Sequence, residues 1–281
     1  MHMKIENGTK VFITGAASGI GRATALAMAR RGAHLFLTDI NEKGLMETCN
    51  LISSSGTAVC RQQAFDITRL DAVQVFANEL HHDFGPMDIV INNAGIALFG
   101  LVEEMTHDHW QKVINTNLWG VIHGIESFLP KMIYAKKGHL VNISSTAGLA
   151  GLPWHAAYSS AKWGLVGLSE VLRYDLMQHN IGVTVICPGA VDTPLKNSTP
   201  ILGVDRESKK AKMLIQRFEK HAVTPEYVAD LIINAIEKNK FLVITSFDIK
   251  ALYFVKRYCP PIYHFVMKKL SNLMNDLKNK T

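Results

Sequence analysis

No apolar run in this 281-residue chain approaches the roughly 18–20 residues that a bilayer-spanning helix needs. A transmembrane segment is therefore not expected. The N-terminus carries no signal-peptide pattern, only Met-His-Met. Low-complexity tracts and internal repeats are missing as well. Cysteine is scarce: Cys49, Cys60, Cys187 and Cys259 fall at no metal-binding or redox spacing. In a leaderless chain they are expected to be reduced thiols, which points to a cytoplasmic location. His81-His82 and His107-x-His109 lack carboxylates at a recognised metal spacing, so no metal site is expected.

Charge is also missing from most of the chain. The net +6 is carried by residues 240–281, with eight Lys/Arg against two Asp/Glu, and residues 1–239 sum to zero. A neutral body argues against a nucleic-acid groove and leaves the tail as a contact for an anionic surface.

What is present is an alternation of short apolar runs and amphipathic segments. Strands are expected at 10–14, 34–39, 57–65, 88–92, 139–144, 183–187 and 241–245. Helices fit near 19–31, 41–54, 69–84, 106–135, 156–180 and 225–239. Continuous β-rich runs between helices predict an α/β fold: a single doubly wound, Rossmann-type domain over residues 1–245. Its parallel sheet of about seven strands would carry helices on both faces. Ligands in such folds bind at the carboxyl ends of the strands.

After the first strand comes T-G-A-A-S-G-I-G, residues 14–21, with Gly15, Ser18, Gly19, Ile20 and Gly21. Glycines let the backbone approach a pyrophosphate, and the next helix aims its N-terminal amides at the charge. The plain alternative is a glycine turn without a ligand. Asp39 ends the second strand and would accept hydrogen bonds from the adenosine ribose. At ~4 Å and an effective dielectric near 20 it would oppose a 2′-phosphate by about 4 kcal/mol, which favours NAD over NADP. No Arg or Lys precedes Gly21 in the turn. The alternative for Asp39 is a helix cap, which Asn41 also offers.

Tyr158 and Lys162 stand four residues apart, on one helix face. In isolation such a pair reads as a solvated surface. A fixed ammonium near a phenol would nonetheless lower its pKa from about 10 toward neutrality.

Taken together, these motifs resemble the short-chain dehydrogenase/reductase family, in its common subfamily of roughly 250 residues. The matching features are T-G-x-x-x-G-x-G, N-N-A-G at Asn92 to Gly95, and Asn117 in N-L-W-G. Ser145 in I-S-S, Y-x-x-x-K at Tyr158 and Lys162, Pro188-Gly189 followed by Thr193, and Asp66 complete the set. The resemblance implies a nicotinamide cofactor and a catalytic set of Asn117, Ser145, Tyr158 and Lys162. Tyr158 would exchange a proton with substrate, and Ser145 would hydrogen-bond the substrate oxygen, Ser144 being the less favoured assignment. Lys162 would hold the nicotinamide ribose, and the backbone carbonyl of Asn117 a water leading to it. Asp66 and Ile67 would meet the adenine, and Asn93, Ala94 and Gly95 the adenosine side. Pro188, Gly189, Thr193 and the backbone of Val191 would meet the nicotinamide end. Relatives are usually homodimers or homotetramers.

Residues 195–221 are expected to form a substrate lid, with Ile201, Leu202, Met213, Leu214 and Phe218 facing inward. Few polar anchors there predict a hydrophobic alcohol or ketone, steroid-like or another lipid. Residues 246–281 form a basic amphipathic extension that Pro260-Pro261 divides into two helices. It would pack on the body, dock on a partner subunit, cover the substrate entrance or contact a membrane peripherally. The function expected is an NAD(H)-dependent oxidoreductase for a secondary alcohol or ketone. The alternatives are an NADPH-dependent 3-oxoacyl carrier reductase and a catalytically silent dinucleotide sensor.

Overall fold

The computed structural model describes residues 3–54, 60–210, 212–213 and 222–278. Seven strands build one sheet: β1 (Lys10–Thr14), β2 (His34–Asp39), β3 (Cys60–Ala64), β4 (Ile89–Asn92), β5 (Gly138–Ile143), β6 (Ile181–Cys187) and β7 (Leu242–Ile244). Their order is β3-β2-β1-β4-β5-β6-β7, and every neighbouring pair is parallel. The central strands are buried along almost their whole length, as strands covered on both faces must be.

Alternation along the strands sorts the core into two layers. Val11 and Ile13 face α1 (Gly19–Ala29), α2 (Glu42–Ser53) and a later helix, Pro225–Glu237. Phe12 faces the opposite layer, made by α3 (Leu70–Phe84) and the helices Gly120–Ala135 and Ala156–Asp175. There Phe12 stacks on Phe128 at 4.2 Å between ring centroids. Strand order reverses between β1 and β4, and it is outside the carboxyl ends at such a switch point that ligands bind in doubly wound folds.

The helix expected over 106–135 is interrupted. It comprises α4 (His107–Ile114), a π turn over Asn115–Trp119, and α5 (Gly120–Ala135). Next, α6 (Ala156–Asp175) stops short of residue 180, after which a 3₁₀ turn ends at Asn180 in the left-handed region, φ 58°. The expected strand 57–65 is β3, and its first three positions lie outside the described residues. Beyond the short α7 (Leu195–Ser198) come α8 (Pro225–Glu237), α9 (Phe247–Tyr258) and α10 (Pro260–Asn275). The two prolines open α10 in its first turn, where a missing N–H goes unnoticed.

Cys49 of α2 and Cys60 of β3 are joined by a disulfide, with Cα atoms 6.0 Å apart. This corrects the expectation of four reduced thiols. The pairing arises because α2 folds back against β3, a juxtaposition that sequence spacing does not reveal. Cys187 and Cys259 are free thiols.

Candidate active site

The glycine turn is built against β4. Gly15 has φ 68°, and a Cβ there would lie 2.7 Å from Asn93 Nδ2 and 2.8 Å from Ala94 Cα. A Cβ on Gly21 would lie 2.1 Å from the Gly15 carbonyl oxygen, so only glycine fits both positions. Asn93 fastens the turn: its amide nitrogen donates to the carbonyls of Thr14 (3.0 Å) and Gly15 (3.2 Å). The Thr14 hydroxyl accepts from the backbone N–H groups of Asn93 and Ala94. Ser18 is the extended N-cap of α1 and makes no side-chain cap, and the first turn holds no acid. A tight glycine cradle under uncapped helix amides fits a pyrophosphate. Ile20 is half-buried against the core. Thr193 closes on the turn, its Cγ2 2.9 Å from where a Gly19 Cβ would be.

Asp39 is held at the tip of β2 by the N–H groups of Ala17 and Asn41, both at 2.9 Å. Asn41 itself caps α2, accepting from the Gly44 N–H at 3.1 Å. Capping by Asn41 leaves that role away from Asp39. Nearby Arg22 is engaged by the Ala17 and Gly44 carbonyls, the Thr48 hydroxyl and Glu47. Asp66 accepts from the Thr68 N–H at 2.9 Å, and α3 begins after Arg69 without a side-chain cap. Ile67 is buried, with its Cδ1 2.5 Å from where a Cβ on Gly120 would stand.

Asn117 sits on the π turn, fully buried. Its amide clamps the main chain of Ile96, accepting from the N–H and donating to the carbonyl, each at 2.8 Å. Gly95 admits this clamp, because a Cβ there would lie 2.9 Å from Asn117 Oδ1 and 3.5 Å from Lys162 Nζ. Thus Gly95, Asn117 and Lys162 share one locus.

Ser144 and Ser145 divide as β-alternation requires. Ser144 is buried and donates to the Lys162 carbonyl at 2.9 Å, while Ser145 faces the Tyr158 phenol and favours its ionised form. Ser145 also accepts from the Ala147 N–H at 3.1 Å, which fixes its rotamer. Lys162 Nζ lies 5.8 Å from the Tyr158 ring centroid and donates to the Ile143 carbonyl at 2.9 Å. Burial dominates the proton affinities here. It pushes the Tyr158 phenol up, against the effect of Ser145, and lowers the Lys162 ammonium to about 8. The expected lowering of the phenol by Lys162 is therefore corrected for the free protein: desolvation sets the direction, and Lys162 is not among the groups that shift it. Burial also lifts Cys187 to about 12, which keeps it a neutral thiol.

The loop after β6 crosses the same region. The Pro188 carbonyl accepts from the N–H (2.8 Å) and hydroxyl (2.9 Å) of Thr146. Gly189 donates to the Thr245 hydroxyl, and Val191 bridges to Val223.

Sequence reasoning anticipated Leu202 but missed the rest of the walls. Phe99 meets Tyr158 edge-on at 5.9 Å and lies 4.0 Å from the His155 ring. Burial holds His155 neutral, with its pKa near 4. Its place one helical turn before Tyr158 was the available signal. Leu202 packs in the same cluster as Tyr158 and Leu98, and its N–H donates to the Phe99 carbonyl at 2.8 Å. Of the other residues expected to face inward, Ile201 is half-buried and Met213 exposed, while Leu214 and Phe218 lie outside the described residues. No cluster of His, Cys, Asp or Glu among the described residues is arranged to hold a metal ion.

Comparison with known proteins places this geometry. The family model for short chain dehydrogenases matches residues 9–201. SadH of Mycobacterium tuberculosis is 33% identical over 252 residues, 89% of this chain and 90% of that protein. The 3-oxoacyl-[acyl-carrier-protein] reductase FabG of Thermotoga maritima is 32% identical over 231 residues, 82% of this chain and 91% of its own. A short chain dehydrogenase/reductase from Burkholderia phymatum, solved in complex with NAD, superposes with a TM-score of 0.83 at 29% identity. That match covers 92% of this chain and 96% of the other. A seven-stranded Rossmann sheet, a glycine cradle and the Ser145–Tyr158–Lys162 cluster thus accompany similarity over most of the chain, which belongs to the short-chain dehydrogenase/reductase family of oxidoreductases.

Proposed function

We propose that this protein is an NAD(H)-dependent oxidoreductase interconverting a hydrophobic secondary alcohol and its ketone, with Tyr158 as general acid and base. The observation that carries this reading is the grouping of Ser145, Tyr158 and Lys162 just past the carboxyl end of β5, with Lys162 beside Gly95 of the N-N-A-G turn that fastens the glycine cradle.

The bound nicotinamide would supply or accept the hydride, and its oxidised ring would add positive charge beside the phenol. Gly15, Ser18, Gly19, Ile20 and Gly21 would hold the pyrophosphate. Asp39 would take the adenosine ribose, and Asp66, Ile67 and the Asn93–Gly95 backbone would line the adenine side. Pro188, Gly189, Val191 and Thr193 would bound the nicotinamide end. In the ketone-forming direction the Tyr158 phenolate takes the proton of the substrate hydroxyl. In the reverse direction the Tyr158 hydroxyl returns a proton to the carbonyl oxygen. Ser145 donates a hydrogen bond to that oxygen as its charge develops. Lys162 stabilises the phenolate and would hold the nicotinamide ribose, and Asn117 fixes the loop behind them.

NAD is favoured because Asp39 is fixed where a 2′-phosphate would sit and Arg22 is already engaged. The apolar walls, Phe99, Leu98 and Leu202, favour a lipid-like substrate. Similarity to FabG favours a second reading, reduction of a carrier-bound 3-oxoacyl group. That reaction usually goes with NADPH, which Asp39 opposes. Exposed Tyr134 on α5, with Val171 and Tyr174 on α6, supports assembly into a homodimer or homotetramer through those helices.

The test is a screen of secondary alcohols and ketones against both cofactors, followed by nicotinamide absorbance. Turnover with NAD or NADH on apolar substrates is expected. Tyr158→Phe should lower kcat by about 10²–10⁴-fold while NADH binding, read by fluorescence, persists. Undiminished turnover in that variant would remove the phenol from the chemistry.

A further inference from the structure

The hairpin of α9 and α10 has an inward and an outward face. Inward, the Lys256 ammonium donates to the Leu149 carbonyl at 2.7 Å and lies 3.6 Å from the Trp163 ring centroid. The Tyr263 hydroxyl donates to the Gly151 carbonyl at 3.2 Å. The Asn275 side-chain oxygen accepts from the Trp154 indole at 3.0 Å, and Lys278 pairs with Glu104. The hairpin is thereby fixed to the 149–154 loop, whose Trp154 carbonyl accepts from Gly100, next to Phe99 in the cleft wall.

Outward, the chemistry is different. On α10, Ile262, Phe265, Val266, Lys269 and Leu273 recur at helical spacing, and Phe265 is 61% exposed. On α9, Phe247, Lys250, Phe254 and Tyr258 do the same, and Phe247 is 83% exposed. A groove of ≈ 400 Å³ between β7 and α9 is lined by Leu242, Tyr253, Phe254 and Tyr258, with Lys250 and Arg257 beside them. Large aromatics left in water on two successive helices mark an interaction surface.

Charge selects the occupant. Residues 240–281 carry a net +6, whereas the rest of the chain is neutral. A second copy would bring the same cationic face against this one. Anionic headgroups complement it, and acyl chains accept the aromatics. No described helix is long and apolar enough to cross a membrane, so contact is with the surface.

We propose that the outward face of the α9–α10 hairpin seats on an anionic phospholipid bilayer. Ile262, Phe265, Val266 and Leu273 enter the acyl boundary, and Lys250, Arg257, Lys268 and Lys269 lie among the headgroups. Because the inward face clamps the cleft wall, seating brings the cleft within about one helix diameter, roughly 10 Å, of the lipid. That last step rests on the proposed lipid-like substrate, whereas the docking does not.

The full-length protein is floated with phosphatidylcholine vesicles, with and without phosphatidylglycerol. Capture by the anionic vesicles alone is expected, weakening as salt rises. Phe265→Asp combined with Val266→Asp, and separately Lys268→Glu combined with Lys269→Glu, should each lower the bound fraction about tenfold. NADH binding and turnover of a water-soluble alcohol should stay unchanged in both variants. Equal capture by both vesicle types, capture by neither, or variants that bind like the wild type would overturn the proposal. So would an oligomer that light scattering finds split by the Phe265 variant, because the occupant would then be a second copy. Should the aspartate variant fail to fold, the glutamate variant still decides. A protein that floats but turns over no alcohol supports the docking and refutes the catalytic reading.

Discussion

At Tyr158 two effects of opposite sign meet. The sequence places a cation one helical turn away, which favours the phenolate. The fold takes both groups largely out of water, which disfavours either charge, and in the free protein desolvation sets the direction at both. Lys162 reports the balance through stability. Its folded-state pKa, about 8, lies below its unfolded value of 10.5. Between those values the unfolded chain binds more protons, so this group's contribution to stability rises with pH and its penalty is complete below 8. Relative to Lys162→Met, the wild type should gain about 1 kcal/mol between pH 8 and 9, read from urea midpoints. A flat difference would mean the ammonium is solvated. Asp39 was more fully legible. Its position at a strand end was plain in the sequence, and the competing helix cap is supplied by Asn41. Asp39→Ser should lower the ratio of kcat/KM for NAD over NADP by about 10- to 1,000-fold, the range that up to 4 kcal/mol of repulsion allows.

Among the elements, strands and glycine turns were readable because burial on both faces and close backbone approach each demand a narrow set of residues. The break in the long helix was less so. The carbonyl role for Asn117 came only by resemblance, and the residues from 106 to 135 read as one amphipathic helix. The structure inserts a π turn at Asn115–Trp119 and aims the Asn117 amide at the Ile96 main chain. That pairing joins residues 21 apart, which no local pattern encodes. Asn117→Ala would leave a part-buried N–H and carbonyl of Ile96 without this partner, at a cost of about 2 kcal/mol or more. Urea unfolding should register that loss. Turnover should fall more than NADH affinity, because the displaced loop lies beside Lys162. Asn117→Asp keeps one of the two hydrogen bonds and should recover part of the stability.

For the whole molecule, sequence periodicity identified the C-terminal helices but not which way they face. Apolar residues occur on both sides of α10: Tyr263, Met267, Leu270 and Met274 are half-buried, while Ile262, Phe265, Val266 and Leu273 are exposed. Periodicity alone cannot rank two apolar stripes, because the choice depends on what each stripe meets. The inward choice is set by polar contacts to distant loops, above all the bond between Trp154 and Asn275, 121 residues apart. Trp154 is buried and sits at φ 65°, a conformation that a non-glycine residue holds only when its surroundings fix it. Its carbonyl accepts from Gly100, and its neighbour His155 packs tilted against Phe99, so the indole anchors the cleft wall from behind. Asn275→Leu removes the acceptor and leaves the indole N–H unpaired. The wall should loosen without disturbing the glycine cradle of residues 14–21. We therefore expect KM for an apolar alcohol to rise several-fold, with NADH affinity and kcat nearly unchanged; Asn275→Gln, which retains an acceptor, should restore much of the loss. An equal fall in NADH affinity would show that the tail supports the whole sheet rather than the substrate side alone.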